Sequence, residues 1–334
     1  MTIIIALIAF GIMIGIHEAG HLVAAKLSGV LVHEFAIGMG PKLFSWQGKE
    51  TAYSLRLLPI GGFCNLEGEN GGSDDKRAFC NAQKWQKIVI LAAGAVMNLV
   101  LGFVLLLLFY AGQPAIADPV AAGIIPNTYA EQIGLQEDDT IVKMGNTKVN
   151  FYPDIKFFLL RNGDKSFDLT VNRGGKKIQF KNFKPYTDEN GTVYIGIQVK
   201  SSPNTVLKTI KNSFYLEIFM GKLVLTGLWD LVTGSVSVKE ASGPVGIVKE
   251  IGNAAKTGWT DLLYIVALIT VNLGLFNLLP IPALDGGRIL FVLISILIRR
   301  PVPEKVETAF HATGMLLLLL LMLLVTFNDV GRLF

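Results

Sequence analysis

Cysteine and charge are both scarce in this sequence. Its 334 residues include two cysteines, Cys64 and Cys80, which cannot supply a four-cysteine zinc site or a disulfide framework, although one disulfide between them stays open. Charged residues make up 17% of the chain, whereas ordinary soluble proteins carry ~25%. Because 51% of the residues are hydrophobic, the composition excludes an ordinary soluble protein and predicts several membrane spans with one soluble domain.

Internal repeats, low-complexity tracts and a strong net charge are missing as well. The lack of repeats disfavours a transporter, since many transporter folds are built from repeated halves. The net charge is only +4, and the basic residues lie mostly in loops. This distribution is typical of cytoplasmic loops beside anionic headgroups, so we expect the lipid bilayer, and no nucleic acid, as a partner.

Four apolar stretches are long enough to cross a bilayer, which takes ~20 residues of helix. They cover residues 2–26, 88–113, 262–284 and 312–328. The first has no basic start and carries polar residues where a signal peptide would be cleaved, so we interpret it as a retained span. Lysine and arginine are frequent in the loops 29–87 and 286–311, and the positive-inside rule therefore predicts that both face the cytoplasm.

The segment between the second and third spans is then predicted to lie outside. Residues 116–200 contain short β-like runs separated by glycine-rich turn signals, with one helix expected over 152–162. This pattern predicts a compact domain of mainly antiparallel strands. Residues 203–231 have apolar side chains at helical spacing, which indicates an amphipathic helix on the membrane surface. On the cytoplasmic side, the polar segment 67–77 is expected to be a mobile loop.

The polar sequence HEAGH interrupts the first apolar stretch. On a helix, His17 and His21 share one face with Glu18 beside them, because residues four apart are neighbours. Two neutral imidazoles can bind one zinc ion, and the carboxylate can accept a proton from a zinc-bound water. Chance is the alternative, but ionisable side chains are costly within a membrane span, which favours the metal site.

A catalytic zinc site needs a third protein ligand. The other two histidines, His33 and His311, are expected at the surface and at a membrane interface. Asp285 is the better candidate, because it follows an uncharged apolar stretch in which Pro280 and Pro282 prevent a regular helix. In the alternative interpretation, Asp285 only caps the next short helix, since Asp is a favoured N-cap residue.

HEAGH and NLLPIPALDG together resemble the site-2 protease family of intramembrane zinc metalloproteases, in its bacterial RseP-like branch. The family patterns HExxH and NxxPxxxLDG are matched by His17, Glu18, His21, Asn277, Pro280, Leu284, Asp285 and Gly286. The segments GMGPKLF and LLPIGGFCNLEG resemble the membrane-associated β-hairpin region of the family, and AAGAVMNLVLG resembles its second-span motif.

The resemblance implies a zinc metalloendopeptidase with one zinc ion per chain. It implies that His17, His21 and Asp285 hold the zinc and that Glu18 is the catalytic base. Asn98 of the second span is expected either to contact substrate or to pack between helices. The other implied substrate-binding residues are Asn277, Pro280, Pro282, Gly61 and Gly62.

The outer domain resembles a PDZ domain over AEQIGLQEDDTIVKMGNTKV, where Asp138 stands at a position that is usually glycine. The predicted fold is a polytopic α-helical membrane protein of four transmembrane helices, with a membrane-associated β-hairpin region and one inserted extracytoplasmic PDZ-like α+β domain. The expected segments are the first transmembrane helix 1–28, the β region and loop 29–87, the second transmembrane helix 88–113, the PDZ-like domain 114–200, the amphipathic helix and linker 201–260, the third transmembrane segment 261–285, the cytoplasmic loop and short helix 286–311, and the fourth transmembrane helix and tail 312–334.

The implied reaction is hydrolysis of peptide bonds in transmembrane segments of single-span membrane proteins, such as anti-sigma factors or signal-peptide remnants, in regulated intramembrane proteolysis. A peptide in the PDZ groove is a further expected partner. The expected location is the bacterial inner membrane, with the active site toward the cytoplasm and the PDZ-like domain outside. The alternative is a non-hydrolytic metal-binding scaffold or transporter, but a transporter would show repeats or ionisable residues in several spans.

Overall fold

The computed structural model describes residues 2–69, 71–237, 243–300 and 302–331. The helices are α1 Thr2–Leu27, α2 Lys84–Ala111, α3 Tyr129–Gln132, α4 Tyr152–Asn162, α5 Val206–Val232, α6 Pro244–Thr257, α7 Trp259–Leu278, α8 Asp285–Leu297 and α9 Glu304–Gly331, with a 3₁₀ turn at Phe79–Asn81. The strands are β1 Val32–Gln47, β2 Ala52–Leu66, β3 Ala115–Ile124, β4 Thr140–Met144, β5 Thr147–Lys148, β6 Phe167–Arg173, β7 Lys176–Phe183, β8 Tyr186–Thr187, β9 Val193–Tyr194 and β10 Ile197–Pro203.

Within the part of the chain that the structure describes, four helices are long and apolar enough to cross a membrane, namely α1, α2, α7 and α9. They correspond to the four predicted spans, although most of their ends are shifted, two of them by six residues or more. The third helix ends at Leu278 rather than near residue 284, because Pro280 and Pro282 follow and the residue before a proline disfavours helix. The fourth begins at Glu304 rather than at 312, since its first turns are polar and hydropathy alone does not mark them.

Glycine allows the spans to pack closely. A Cβ atom on Gly20 of α1 would clash with the carbonyl oxygen of Ala93 in α2. A Cβ atom on Gly274 of α7 would lie 2.9 Å from the carbonyl oxygen of Ala95. These spans therefore meet backbone to backbone, as small residues permit between membrane helices.

A long antiparallel hairpin follows the first helix. Strands β1 and β2 pair from Val32–Leu66 to Gln47–Ala52, and bulges shift the register several times between these ends. The large apolar side chains Phe44 and Trp46 of this hairpin are 69% and 61% exposed. An exposed apolar surface on a chain with membrane spans favours the predicted association of the hairpin with the membrane.

The polar segment 67–77 after the hairpin was expected to be a mobile loop. In the structure, hydrogen bonds and ion pairs connect it to neighbouring residues. Glu67 pairs with His33, with 2.5 Å between Oε2 and Nε2, and Arg77 pairs with Glu50 at 2.8 Å. The side-chain amide of Asn81 donates to the carbonyl oxygens of residues 73 and 75. The described part of the loop is therefore anchored at several points.

Residues 107–219 form a separate compact unit around an antiparallel sheet. The strand order is β10-β3-β4-β6-β7, with β5 paired to β4, while β8 and β9 form a small sheet of their own. The core contains Met144, Ile155, Leu169 and Phe183, each no more than 2% exposed. The predicted helix over 152–162 coincides with α4, and β3 starts at Ala115, one residue before the predicted domain pattern.

The turn before β4 explains the unusual Asp-Asp pair in this unit. Asp138 has φ +66°, in the left-handed region that favours glycine. Asp139 is buried, and both of its oxygens accept hydrogen bonds from Arg173 at 2.7 Å. Burial alone would raise the pKa of Asp139, but Arg173 and the backbone N–H of Gln136 hold it below its ordinary value.

The structure adds a helix, α6, to the segment 201–260, for which one amphipathic helix and a linker were expected. Its start is fixed by Pro244 in the first turn, a favoured position for proline. The buried carboxylate of Asp329 in α9 accepts the N–H of Gly246 at 2.8 Å, which satisfies an amide that a helix leaves unpaired. Proline in the first turn and apolar residues at helical spacing are local signals of this helix that the sequence interpretation passed over.

Candidate metal centre

Helix α1 directs two imidazole rings toward one point. His17 and His21 lie one turn apart, and their Nε2 atoms are 3.2 Å apart. Helix α2 packs against the same face through Gly94, where a Cβ atom would clash with the His21 ring and lie 2.8 Å from His17 Cε1. The missing side chain of Gly94 therefore leaves the space that the two rings occupy.

Asp285 brings a carboxylate to the same point from the start of α8. Its Oδ2 atom lies 3.3 Å from His17 Nε2 and 3.4 Å from His21 Nε2. The N-cap residue of α8 is Leu284, and no side chain makes a capping hydrogen bond there. Asp285 therefore does not cap this helix, and its carboxylate is available to the two histidines.

The hydrogen bonds behind the rings decide which nitrogen keeps a lone pair. His21 Nδ1 lies 2.8 Å from the carbonyl oxygen of Ile90, so this nitrogen donates a hydrogen and Nε2 keeps its lone pair. His17 Nδ1 lies 3.3 Å from Nδ2 of Asn98, a donor nitrogen, and Asn98 Oδ1 is buried without a partner among the described residues. Exchanging the two amide atoms turns Oδ1 toward His17, and Asn98 then accepts the Nδ1–H.

Three lone pairs thus meet in one place. Asp285 Oδ2 is buried and has no hydrogen-bond donor among the described residues, and the three ligand atoms are separated by only 3.2–3.4 Å. Lone pairs at this distance repel each other unless a proton or a metal ion lies between them. Ligand atoms at about 2.0–2.1 Å from a tetrahedral ion are about 3.3 Å apart, so the donor set and its spacing fit zinc.

Glu18 lies between the two histidines in α1 and next to the hairpin. Its Cγ atom is 3.0 Å from the position that a Cβ atom on Gly62 would occupy. The carbonyl oxygen of Ala36 in β1 is 2.9 Å from the same position. Gly62 therefore allows β2 to pass directly beside the Glu18 side chain.

The other predicted site residues differ in how far they are buried. Gly61 has φ +85°, and a Cβ atom there would lie 2.6 Å from Met39 Cε. Asn98 is fully buried against His17. Asn277 is half-buried in the last turn of α7, and Pro280 is exposed just after it. The substrate contacts expected of these residues stay predictions.

The turn before Asp285 depends on a histidine to which the sequence pattern gave no role. Ala283 has φ +68°, and its N–H donates to His311 Nδ1 in α9 at 2.9 Å. One turn further along α9, a Cβ atom on Gly314 would clash with Pro282. His311 therefore does more than mark an interface, but nothing local in the sequence connects it to residue 283.

The fourth histidine lies elsewhere. His33 is half-exposed at the start of β1 and is paired with Glu67, as predicted for a surface residue. Of the described residues, only His17, His21 and Asp285 form a cluster with metal-ligand spacing.

Comparison with known proteins gives a match over most of the chain. The sequence profile of peptidase family M50 matches residues 5–321. A Clostridium acetobutylicum protein with a zinc metalloprotease name is 40% identical over 330 residues, covering 98% of this chain and 97% of that protein. The regulator of sigma-W protease RasP of Bacillus subtilis is 30% identical over 418 aligned positions, covering 100% of this chain and 99% of RasP.

The relatives differ in length. A Fusobacterium nucleatum protein, also with a zinc metalloprotease name, is 38% identical over 340 positions that cover 100% of both chains. The alignment with RasP has 418 positions for 334 residues, so at least 84 positions (418 − 334) hold no residue of this chain. RasP therefore carries segments that this chain lacks, while the matched region 5–321 includes α1, Asp285 and His311.

Proposed function

Because this chain belongs to peptidase family M50 and is a zinc metalloprotease of the membrane, we propose that it hydrolyses peptide bonds inside transmembrane segments of single-span membrane proteins. The observation that carries this proposal is the convergence of His17, His21 and Asp285. Two of these residues belong to a candidate membrane span, so hydrolysis at a zinc ion held there would occur at membrane depth.

We assign one zinc ion per chain to His17, His21 and Asp285. When bound, zinc supplies a water of lowered pKa and polarises the scissile carbonyl. Glu18 accepts the proton of the attacking water and later donates it to the leaving amine nitrogen. The acceptors behind the two rings, which include Asn98, hold the imidazoles in the tautomer that leaves each Nε2 lone pair free.

A substrate helix must unwind before attack, because its peptide groups are hydrogen-bonded to one another within the helix. We assign binding of the unwound segment to the hairpin, by addition of a strand. Gly61 and Gly62 support this assignment, since side chains are absent from β2 where it passes Glu18. The other proposed contacts come from Asn277, through a hydrogen bond to substrate backbone, and from Pro280 and Pro282.

In the proposed topology the chain crosses the bacterial inner membrane four times. The basic loops 29–87 and 286–311 face the cytoplasm, with the active site toward that side, and residues 114–200 lie outside. We interpret 114–200 as a PDZ-like domain with a peptide-binding groove. The left-handed conformation of Asp138, at the usual glycine position, supports this interpretation.

The proposed substrate class is supported by the name of one relative. RasP of Bacillus subtilis is named a regulator of sigma-W protease, so we propose single-span anti-sigma factors as substrates in regulated intramembrane proteolysis, with signal-peptide remnants as a second class. The scaffold or transporter alternative has no support among the relatives, which carry protease names.

The test is cleavage of single-span model substrates by purified enzyme, with zinc content measured on the same samples. General acid–base catalysis contributes ~10²–10⁴-fold, so Glu18→Gln should cleave at least ~100-fold more slowly while retaining its zinc. His21→Phe should lose both zinc and cleavage. The matched control is Glu250→Gln, a change on an exposed position of α6, which should leave zinc content and cleavage unchanged.

Each part of the proposal can fail separately. Wild-type cleavage by Glu18→Gln would remove Glu18 as the base. Full zinc content in His21→Phe would remove the metal site. A zinc-loaded wild-type enzyme that cuts soluble peptides but no single-span substrate would contradict the substrate class.

A further inference from the structure

The turn that connects α7 to α8 contains a residue in an unfavourable backbone conformation. Ala283 has φ +68°, where the Cβ atom of an L-residue is crowded by its own backbone. Such a conformation persists only when the surroundings fix it. The Ala283 N–H makes a long-range contact here, a hydrogen bond of 2.9 Å to His311 Nδ1, 28 residues further along the chain.

The His311 ring is itself held in place. Its centroid lies 5.9 Å from that of Phe291 in α8 and 5.5 Å from that of Phe310 in α9. Its Cε1 atom is 3.2 Å from the position that a Cβ atom on Gly287 would occupy. Because Nδ1 is the acceptor, Nε2 carries the hydrogen. The imidazole therefore fills the space between the turn and the first residues of α8.

The turn and the start of α8 are closely packed. A Cβ atom on Gly286 would lie 2.5 Å from the carbonyl oxygen of Leu278, and one on Gly287 would clash with the carbonyl oxygen of Ile281. Asp285 directly precedes these glycines and lies two residues after Ala283. Little space is therefore left for the backbone between Ala283 and the start of α8, where Asp285 lies.

We propose that His311 is a positioning residue for the metal centre. By accepting the Ala283 N–H it fixes the turn, so that Asp285 Oδ2 faces the Nε2 atoms of both histidines. This inference rests on the proposed role of Asp285 as a zinc ligand. It gives α9 a part in metal binding, although α9 supplies no ligand.

The test compares three substitutions of His311 in the full-length chain by zinc affinity, measured through competition with a chelator. Asparagine can place an amide oxygen near the position of Nδ1, glutamine places its amide near Nε2, and leucine has no acceptor. Groups that orient a metal ligand contribute ~10–100-fold in affinity. We expect that loss in His311→Leu and His311→Gln, and a loss of less than ~3-fold in His311→Asn.

Two further variants separate the causes of any change. Asp285→Ala reports whether Asp285 binds zinc at all. His33→Leu replaces a histidine paired only at the surface and is expected to keep wild-type affinity. Thermal unfolding of each zinc-free variant identifies any that fails to fold; if His311→Leu fails, the asparagine and glutamine variants, both polar amides, decide the question.

The possible results are distinct. Wild-type affinity in both His311→Leu and His311→Gln, or an equal loss in all three variants, would overturn the positioning role, because neither follows the position of the acceptor atom. If Asp285→Ala retains full affinity, the proposed ligand set is wrong and the inference falls with it. If only Asp285→Ala loses zinc, the ligand set stands and His311 is not a positioning residue.

Discussion

The two parts of the candidate metal centre are built in opposite ways. His17 and His21 sit on one continuous helix, where a spacing of four residues is enough to bring their rings together. Asp285 lies 264 residues after His21 in the sequence. It follows a turn between α7 and α8 that contains Ala283 in a left-handed conformation, and the Ala283 N–H donates to His311 of α9. Local geometry defines the helical part, whereas tertiary contacts define the turn part.

The two parts should therefore respond to different changes. The regular backbone of the helical part leaves the rings little room to adjust, so this part should fail when its rings are crowded directly. The turn part should fail when a distant contact is released, as expected for the His311 variants.

The largest effect should come from crowding the helical part. A Cβ atom in Gly94→Ala would clash with the His21 ring and lie 2.8 Å from His17 Cε1, so both rings must move. We expect zinc binding and cleavage to be lost together, as measured by metal analysis and a substrate assay.

The matched control for this change is Gly11→Ala on α1. A Cβ atom at Gly11 meets nothing within 4 Å, so zinc content and cleavage should stay at wild-type levels. Full zinc occupancy in Gly94→Ala would show that the helical part adapts after all, and the contrast with the turn would disappear.

An intermediate effect should come from Asn98, whose side-chain amide lies 3.3 Å from His17 Nδ1 and accepts the Nδ1–H when Oδ1 is turned toward the ring. Asn98→Leu removes this acceptor at similar volume and should weaken zinc binding by ~10–100-fold. Asn98→Asp keeps an acceptor oxygen and should bind zinc more tightly than the leucine variant. Equal affinity in wild type and Asn98→Leu would make Asn98 a packing residue only.

The smallest effect concerns the hairpin. Glu34 accepts hydrogen bonds from Ser54 and Arg56 and pairs with Lys42 at 3.1 Å. Burial alone would raise the pKa of Glu34, but these partners lower it from 4.5 to about 2. A pKa lowered by folding stabilises the protein above the unfolded value, and this stabilisation is lost as the pH falls from 4.5 toward 2.

Glu34→Gln should therefore lower the unfolding temperature of the zinc-free protein at neutral pH by a few degrees. The gap to wild type should narrow as the pH falls from 4.5 toward 2 and close below 2, where Glu34 is protonated in both states. A gap that does not change with pH would contradict this charge assignment. Zinc affinity at neutral pH should be unchanged; a loss would mean that the hairpin also supports the metal centre.

The sequence predicted those features that depend on neighbours along the chain. The four spans, the helix over 152–162 and the shared face of His17 and His21 all follow from composition and spacing. The structure also places Asp285, which the sequence favoured over His33 and His311, beside the two histidines, and its role as a zinc ligand stays a prediction. Short-range rules suffice for the spans because a helix satisfies its own backbone hydrogen bonds in apolar surroundings.

The remaining features depend on residues that are far apart in the chain. Gly94 gives no sign in the sequence that it faces two histidines, and His311 gives none that it accepts the Ala283 N–H. Helix α6 is a different case, because its local helix signals were passed over, while the contact of its first turn with Asp329 of α9 could not be foreseen. Packing decides such long-range contacts, and a single sequence does not record which distant residues meet.

The long separation of the ligands has a consequence for biosynthesis. With Asp285 as the third ligand, the growing chain carries the HEAGH helix through the synthesis of 263 further residues before that ligand exists (285 − 22). Closing so long a loop costs entropy that grows only slowly with its length, and metal binding couples directly to folding. On this ligand set the nascent chain would lack a complete metal centre while it inserts beside other unfolded membrane segments, and the order of translation would delay hydrolysis until the third span and Asp285 have been made.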